Sequence, residues 1–134
     1  MPKKYVNPIS LFPSVQNGFS QVIVASGRRT AFISGQTAWD TRKRIVGGDS
    51  LLKQARQALR NVQAAIEATG GTLKDVVFLR IYIVNYQAEN ARELSVALKE
   101  FFFSANPPAS TWIGVSALAV PGFLIEIEAT AVLD

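Results

Sequence analysis

The segment Phe123–Val132, which reads FLIEIEATAV, is typical of a β-strand with two unlike faces. Successive residues of a strand point to opposite sides, so alternate positions share a face. One face is apolar and suited to a core; its residues are Ile125, Ile127, Ala129 and Ala131. The other face holds Leu124, Glu126, Glu128 and Thr130. Because a buried carboxylate is costly unless it is paired or used, Glu126 and Glu128 mark this second face as a candidate functional surface.

The length and composition of the chain predict a single domain. Its 134 residues are 49% hydrophobic, which is enough apolar material for one core, so we expect residues 1–134 to form one domain. No apolar stretch approaches the ~18 residues that span a bilayer, and the basic start Met1–Pro8 is not followed by the apolar segment of a secretory signal. We therefore expect a cytoplasmic protein with no membrane partner.

The absence of two residue types restricts the possible chemistry. The chain has no Cys and no His, which excludes thiolate nucleophiles, disulfides and the triads that depend on imidazole. A catalytic zinc site almost always uses imidazole or thiolate ligands, so we expect no metal and no cofactor. Catalysis would have to use carboxylates, hydroxyls, Lys, Arg, backbone groups and bound water.

The net charge is +4, and much of the positive charge lies in three clusters. These clusters are Arg28–Arg29, Arg42–Arg44 and the series Lys53, Arg56 and Arg60. They could attract nucleic acid or a small anion, or they could be solvated turns and a helix face. Single-strand binders interleave aromatic residues with basic ones, and these clusters contain none, so we favour the solvated interpretation and expect no nucleic-acid partner.

The first half of the chain predicts two strands and a helix from its periodicity and its breakers. In order, we expect an irregular segment 1–20, strands at 21–26 and 30–35 joined by a hairpin at Gly27–Arg29, and a helix capped by Asp49 or Ser50 that ends at Gly70–Gly71. The apolar stripe of this helix is Leu52, Ala55, Leu59, Val62 and Ile66.

The second half predicts a strand, a helix and two further strands. The strand Asp75–Val84 alternates, with Val77, Leu79, Ile81 and Ile83 on one face and Phe78, Arg80, Tyr82 and Val84 on the other. A helix over 88–103 is predicted to turn Ala91, Leu94, Leu98 and either Phe101 or Phe102 inward, and strands follow at 110–115 and 123–132. This order predicts an α+β fold with a single mixed β-sheet and two helices on one face.

The face of the sheet away from the helices predicts an oligomer. It would carry Arg80, Tyr82, Glu126 and Glu128 beside apolar neighbours, a mixture too apolar for water and too charged for the core of a monomer. Packing against further copies of the chain would cover it, with Arg80 compensating a carboxylate. We therefore expect a homo-oligomer.

Several motifs together resemble the RidA/YjgF family. They are Phe32–Gln36 (FISGQ), Ala68–Gly71 (ATGG), Pro108–Thr111 (PAST) and Ile125–Ala129 (IEIEA), and the resemblance runs from about Phe19 to Val132. It implies a chorismate-mutase-like α+β fold, a homotrimer and small-molecule ligand clefts between subunits. It also implies hydrolysis of reactive 2-imino acids to 2-keto acids and ammonia.

The resemblance implies a ligand site in which this chain departs from the pattern. Where archetypal members have an Arg that grips the substrate carboxylate, this sequence has Ser110, and Thr111 follows it. Phe19 matches a ligand-holding Tyr without its hydroxyl, Trp112 matches a much smaller residue, and Ser95 matches an Asn on the second helix. We therefore expect weak activity on simple 2-imino acids, with Thr111 and Arg80 as the candidates to replace the missing cation.

The resemblance also assigns roles that the chain retains. The backbone of Ser34 and Gly35 would line the cleft, and Glu126 matches the carboxylate that positions the attacking water. We expect Glu126 to lie at the inter-subunit cleft near Gly35 and Ser110. It would act either as a general base or as a structural partner of a basic residue such as Arg80, whereas Glu128 is interpreted as structural.

Three functional hypotheses follow. The first is an enamine or imine deaminase of altered specificity that uses Glu126 and a water molecule. The second is a trimer that binds a small metabolite without turnover, with Trp112 filling the substrate space. The third is a nucleic-acid-directed protein, since some members are described as ribonucleases or translation inhibitors; a chain without His is poorly equipped for phosphodiester cleavage, so this hypothesis is disfavoured.

Overall fold

The computed structural model describes residues 3–102 and 106–134, which form two α-helices and two β-sheets joined by turns and loops. The strands are β1 (Lys3–Val6), β2 (Val22–Ala25), β3 (Arg29–Gln36), β4 (Val76–Val84), β5 (Ala109–Val115) and β6 (Ile125–Leu133). The α-helices are α1 (Leu51–Glu67) and α2 (Asn90–Phe101), and single 3₁₀ turns occupy Val15–Asn17 and Leu73–Asp75. No helix within the described residues is both long and apolar enough to cross a membrane.

The main sheet is four-stranded and mixed, in the order β3-β6-β4-β5. Strand β6 pairs antiparallel with both β3 and β4, and β4 pairs parallel with β5 through the crossover that contains α2. The predicted α+β class is confirmed, but the single sheet is wrong, because β1 and β2 form a separate antiparallel pair. Strand β2 therefore pairs with β1 rather than forming the expected hairpin with β3.

Both helices pack on one face of the main sheet and close one hydrophobic core. Sequence alternation supplies the sheet side of this core, including Leu79, Ile81, Ile125 and Ile127, all with no exposed area. Helix α1 begins at the predicted cap, where the Ser50 side chain accepts a hydrogen bond from the Lys53 amide. The buried residues of the two helices are Leu51, Gln54, Ala55, Ala58, Leu59, Val62, Ile66, Leu94, Ala97 and Leu98.

Three local predictions are corrected. Residues 1–20 are not wholly irregular, since Lys3–Val6 forms a strand. Leu51 is the buried residue at the start of α1, and Leu52 packs only at the edge of the core. Val76 rather than Val77 faces the core, because a register shift between Val76 and Phe78 places two residues of β4 opposite one residue of β6. The predicted last residue of α2, Phe103, lies outside the described residues.

The opposite face of the main sheet, called the open face below, carries no helix. Its residues include Phe32, Phe78, Arg80, Tyr82, Thr111, Glu126, Glu128 and Thr130. Leu124, which was predicted for this face, precedes β6 and packs at the edge of the core. Phe32 is 82% exposed although it lies at the centre of β3. Within the part of the chain that the structure describes, no layer covers this mixture of aromatic and charged side chains.

A buried amide connects α1 to the loop that leads into β6. Gln54 has no exposed area, and its Nε2 donates to the carbonyls of Gly48 and Gly122 at 2.7 and 2.9 Å. Its Oε1 accepts from the Leu124 amide at 3.0 Å. These bonds satisfy the amide of the buried Gln54 side chain, and they fix the start of the strand that carries Glu126.

Candidate functional site

The side chain of Glu126 lies against the backbone of Gly35. A β-bulge in β3 places Ser34 and Gly35 opposite the single residue Glu128, which brings Gly35 beside Glu126 on the open face. A Cβ atom added at Gly35 would stand 2.7 Å from Cδ of Glu126 and 2.8 Å from its Cγ, a separation that real Cβ contacts do not reach. Glycine at position 35 is therefore required for Glu126 to occupy this place.

The Glu126 carboxylate is half-buried and has no hydrogen bond or ion pair with any residue that the structure describes. Its neighbour across the strand pair is Tyr82, whose hydroxyl is directed to Glu128 instead. A carboxylate can accept several hydrogen bonds, and this one is left with all of its acceptor positions available.

Glu128, by contrast, accepts two hydrogen bonds on one of its oxygens. Its Oε1 accepts from Nη1 of Arg80 at 3.1 Å and from the hydroxyl of Tyr82. The Tyr82 hydrogen bond, together with Arg80, lowers the pKa of the Glu128 carboxyl, and the same hydrogen bond raises the pKa of Tyr82. The predicted pairing of Arg80 with a carboxylate is confirmed, and within one chain its partner is Glu128 rather than Glu126.

A second group of predicted site residues is aromatic and lies near the start of β5. The rings of Phe19 and Trp112 meet edge to face with centroids 5.8 Å apart, and Phe12 packs on Phe19 in the same way at 6.0 Å. Nε1 of Trp112 donates to Oγ of Ser110 at 3.0 Å. Because this bond uses Ser110 as an acceptor, the hydroxyl proton of Ser110 is left to donate elsewhere.

Three hydrogen bonds to backbone carbonyls fix the segment that carries Phe19. Oγ of Ser14 donates to the Phe19 carbonyl at 2.7 Å, and the Ser20 amide donates to the Pro108 carbonyl at 3.0 Å. Oγ of Ser95, on α2, donates to the Asn17 carbonyl at 2.9 Å. The structure thus places Ser95 as a support for this segment, with its hydroxyl proton already used.

The register of the parallel pair separates the predicted site residues. Ser110 and Trp112 lie beside Leu79 and Ile81 on the helix-covered face, and Trp112 packs against the core. Thr111 lies beside Arg80 on the open face. The structure therefore forms two groups: an aromatic group (Phe12, Phe19, Ser110 and Trp112) and a carboxylate group (Gly35, Arg80, Tyr82, Glu126 and Glu128).

These two groups lie on opposite faces of the sheet within one chain. The expected proximity of Glu126 to Gly35 is confirmed by the bulge geometry. Within one chain, alternation in β5 and β6 turns Glu126 and Ser110 to different faces, so the single chain does not bring them together. Proximity across two copies stays a prediction.

The sequence reasoning missed two contributors. Phe12 joins the aromatic group and is 59% exposed, but it lies between Leu11 and Pro13 in a segment without periodicity, so no pattern marked it. The hydrogen bond from Tyr82 to Glu128 was foreseeable, since both residues were assigned to the open face. Among the described residues no cluster of three or more acidic, His or Cys side chains is arranged to hold a metal ion.

Comparison with known proteins agrees with this fold. A family model described as Endoribonuclease L-PSP matches residues 11–133. The chain belongs to the RidA/YjgF family. The two motifs that form the carboxylate group, Phe32–Gln36 and Ile125–Ala129, both lie inside the matched range.

Two kinds of RidA/YjgF relative are informative. The chain is 31% identical to a 2-iminobutanoate/2-iminopropanoate deaminase of Dermatophagoides farinae over 133 residues, which cover 99% of this chain and 98% of that protein. It is 42% identical to the solved structure of YyfB from Yersinia pestis, a Rid family protein of unknown function, with a TM-score of 0.95 and coverage of 99% and 100% of the two chains. RidA from an Antarctic Psychrobacter species aligns with a TM-score of 0.69 and 28% identity over 84% of this chain and 86% of that one.

Proposed function

We propose that the protein is a RidA-like deaminase that hydrolyses an imine or enamine to a carbonyl compound and ammonia. The observation that carries this proposal is the Glu126 carboxylate, held against Gly35 and left without a partner among the described residues. A carboxylate in this state can accept a proton from a water molecule, whereas Oε1 of Glu128 already accepts hydrogen bonds from Arg80 and Tyr82. The deaminase name of the 31% identical relative supports the same reaction class.

The proposed reaction needs only water and one proton carrier. Glu126 accepts a proton from water as the water oxygen bonds to the C=N carbon, and passes that proton to the nitrogen to give a neutral carbinolamine. Glu126 then accepts the carbinolamine hydroxyl proton and delivers it to the nitrogen, so that the C–N bond breaks, the C=O bond forms and ammonia leaves. An enamine first tautomerises to the imine by protonation at carbon.

A complete site would require two copies of the chain. The aromatic group lies on the helix-covered face and the carboxylate group on the open face, so one copy presents either half but not both together. We propose a homotrimer with a chorismate-mutase-like arrangement, in which the open face packs against neighbouring copies and each cleft combines the two groups. The exposure of Phe32 supports a covering partner.

We propose that the substrate differs from the simple 2-imino acids. The aromatic group contains no cation, and its available polar atom is the Ser110 hydroxyl, a neutral donor. A guanidinium–carboxylate pair contributes on the order of 2–4 kcal/mol of binding that a hydroxyl does not supply. The rings of Phe19 and Trp112 suit a planar ring or a conjugated acid. Thr111 and Arg80 lie on the open face, where they could supply polar contacts to a ligand held by a neighbouring copy.

Ammonia release from a panel of substrates tests the proposal. We expect turnover of at least one conjugated or ring-bearing enamine and little turnover of 2-iminopropanoate and 2-iminobutanoate. Glu126→Gln should abolish turnover while preserving the assembly, and Glu89→Gln, at an exposed acidic residue, serves as the matched control. Full activity of Glu126→Gln would show that a group other than Glu126 activates the water. Ser110→Arg should restore little activity on simple imino acids, because Phe19 and Trp112 remain.

A second candidate function is binding of a small metabolite without turnover. The contact of the Trp112 indole with both Phe19 and Ser110 favours it, since the indole occupies space beside Ser110. In that case ligands should bind without ammonia release, and Trp112→Ala should enlarge the range of ligands bound.

The matching family is described as Endoribonuclease L-PSP, so RNA cleavage should be measured together with ammonia release. Two basic residues of the 42–44 cluster are already engaged: Arg44 pairs with Asp40 at 3.0 Å, and Nζ of Lys43 lies 5.5 Å from the centroid of Trp39. We expect no RNA cleavage, and cleavage that Glu126→Gln abolishes would replace the deaminase proposal.

A further inference from the structure

The structure contains a cavity that is lined by neither the aromatic group nor the carboxylate group. It has a volume of about 810 Å³ and is formed by β1, the ends of α1 and α2, and the 3₁₀ turn before β4. No residue of the aromatic or carboxylate group lines it. Much of its wall is apolar, including Tyr5, Leu73, Val76, Phe101 and Phe102. Its size is within the range of small-molecule sites.

The ammonium group of Lys3 is buried at this cavity without a partner. Nζ of Lys3 is shielded from solvent and makes no hydrogen bond or ion pair with any described residue. Its closest described aromatic contact is weak, with the Tyr5 ring centroid 6.0 Å away. Burial lowers the pKa of Lys3, and the negative charge of Asp75 partly opposes that shift. An unpaired, desolvated ammonium is costly, so an anion that entered the cavity would gain a strong partner.

The acidic residues of the cavity wall do not fill that role. Oδ2 of Asp75 accepts from the Thr72 amide at 2.8 Å in the cap of the 3₁₀ turn. Glu100 pairs with Arg56 at 2.9 Å. Glu67 is exposed at the rim, and Lys74 adds one exposed positive charge. With three carboxylates around it, the cavity repels a multiply charged anion more than a singly charged one.

We propose that this cavity binds a small monocarboxylate with an apolar or aromatic body. On binding, the flexible Lys3 side chain turns out of its shielded position so that its ammonium pairs with the carboxylate at the cavity wall, and the body lies against Phe101, Phe102 and Tyr5. The geometry of Lys3 and of the apolar wall carries this inference, which is independent of the deaminase proposal. The chain would thus hold a ligand site on its helix side in addition to the site built on the sheet.

Titration with phenylacetate, followed by calorimetry or by amide chemical shifts, tests the site. Phenylacetamide, which has nearly the same shape but no charge, is the matched probe. We expect saturable binding of phenylacetate to the wild-type protein and binding at least about tenfold weaker for phenylacetamide and for Lys3→Met. Lys4→Met is the matched control, because Lys4 is the next residue of β1 and its side chain is exposed; it should bind like the wild type.

The unliganded variants supply a second readout. Lys3→Met removes a desolvated, unpaired charge, so its thermal midpoint should rise, whereas Lys4→Met should leave it unchanged. No saturable phenylacetate binding, or equal affinity of Lys3→Met and wild type, overturns the proposal. If Lys3→Met does not fold, the comparison of phenylacetate with phenylacetamide on the wild type decides, and equal affinity of the two probes overturns it.

Discussion

Glu126 places its side chain in the position where any residue other than glycine at position 35 would have a Cβ atom. The β-bulge in β3 makes this contact possible, because it draws Gly35 out of regular pairing with β6. Gly35 is not among the residues with positive φ, so its role is to leave space rather than to adopt a left-handed backbone. The contact ties the FISGQ and IEIEA motifs to one another.

Gly35→Ala should therefore destabilise the protein through overlap with Glu126. Because the overlapping atoms belong to the outer part of a flexible, half-buried side chain that can rotate away, we expect a loss of only about 1 kcal/mol in the free energy of unfolding, together with loss of ammonia release. The control is the same change in a Glu126→Ala background, where most of the cost should vanish because the overlapping atoms are gone. Equal costs in the two backgrounds, measured by urea denaturation, would show that another contact at Gly35 matters instead.

The Arg80–Glu128–Tyr82 cluster should make stability depend on pH in a defined direction. The pKa of Glu128 is lower in the folded protein than in the unfolded chain, where it is about 4.3. Its contribution is present above that value and is lost as the pH falls through the folded pKa. The stability difference between wild type and Glu128→Gln should thus be largest above about pH 5 and should disappear in acid.

Tyr82→Phe separates the two causes of this shift. The Tyr82 hydrogen bond is the larger cause, so its removal should bring the pKa of Glu128 closer to the ordinary value and move the acid loss of stability to higher pH. An NMR titration of the Glu128 carboxyl in both proteins measures the change. An unaltered pKa would assign the shift to Arg80 alone.

The open face should hold the oligomer together. Light scattering should give the mass of a trimer, and Phe32→Asp should lower that mass, because it places a charge on a ring that one copy leaves 82% exposed. Tyr82→Asp or Leu124→Asp should dissociate or unfold the protein. Val96→Asp, on the helix side and 42% exposed, is the control and should not change the mass. A wild-type protein that remains monomeric at micromolar concentration would contradict the proposed assembly.

Gln54 should contribute strongly to stability although it contacts neither the aromatic group nor the carboxylate group. Gln54→Leu leaves the Leu124 amide and two carbonyls without their partner, and we expect a loss of about 2–4 kcal/mol in the free energy of unfolding. Gln63→Leu is a suitable control, because Gln63 lies on the same helix and makes no hydrogen bond with the described residues. Calorimetric melting of both variants measures the difference, and similar losses would contradict a special role for Gln54.

Periodicity predicted the elements of the main sheet and both helices because their apolar residues repeat strongly. The alternation of Val76–Val84 and Ile125–Leu133 required one buried face, and the structure has it. Strand β1 was not predicted, because its sequence, KKYV, has only four residues and two of them are charged. The bulge at Val77 was not predicted for a different reason. Pairing register depends on two strands together, so the residue pattern of one strand does not reveal a bulge.

The candidate site was predicted as a set of residues but not as an arrangement. Alternation shows that Ser110 and Trp112 share a face, and that Glu126 and Glu128 share one. It does not show that the parallel pairing of β4 with β5 turns Ser110 towards the helices. The partner of Arg80 was left open for the same reason, since the choice between Glu126 and Glu128 follows from cross-strand register.

The separation of the two groups by the thickness of one sheet has a consequence for how the protein can change. No hydrogen bond or ring contact within the described chain links Phe19, Ser110 or Trp112 to Glu126 or Gly35. Substitutions in one group and in the other should therefore combine additively in a single chain's stability. The aromatic group, which we propose selects the ligand, can therefore be changed residue by residue while Glu126 and Gly35 stay in place, without a compensating substitution across the sheet of the same chain.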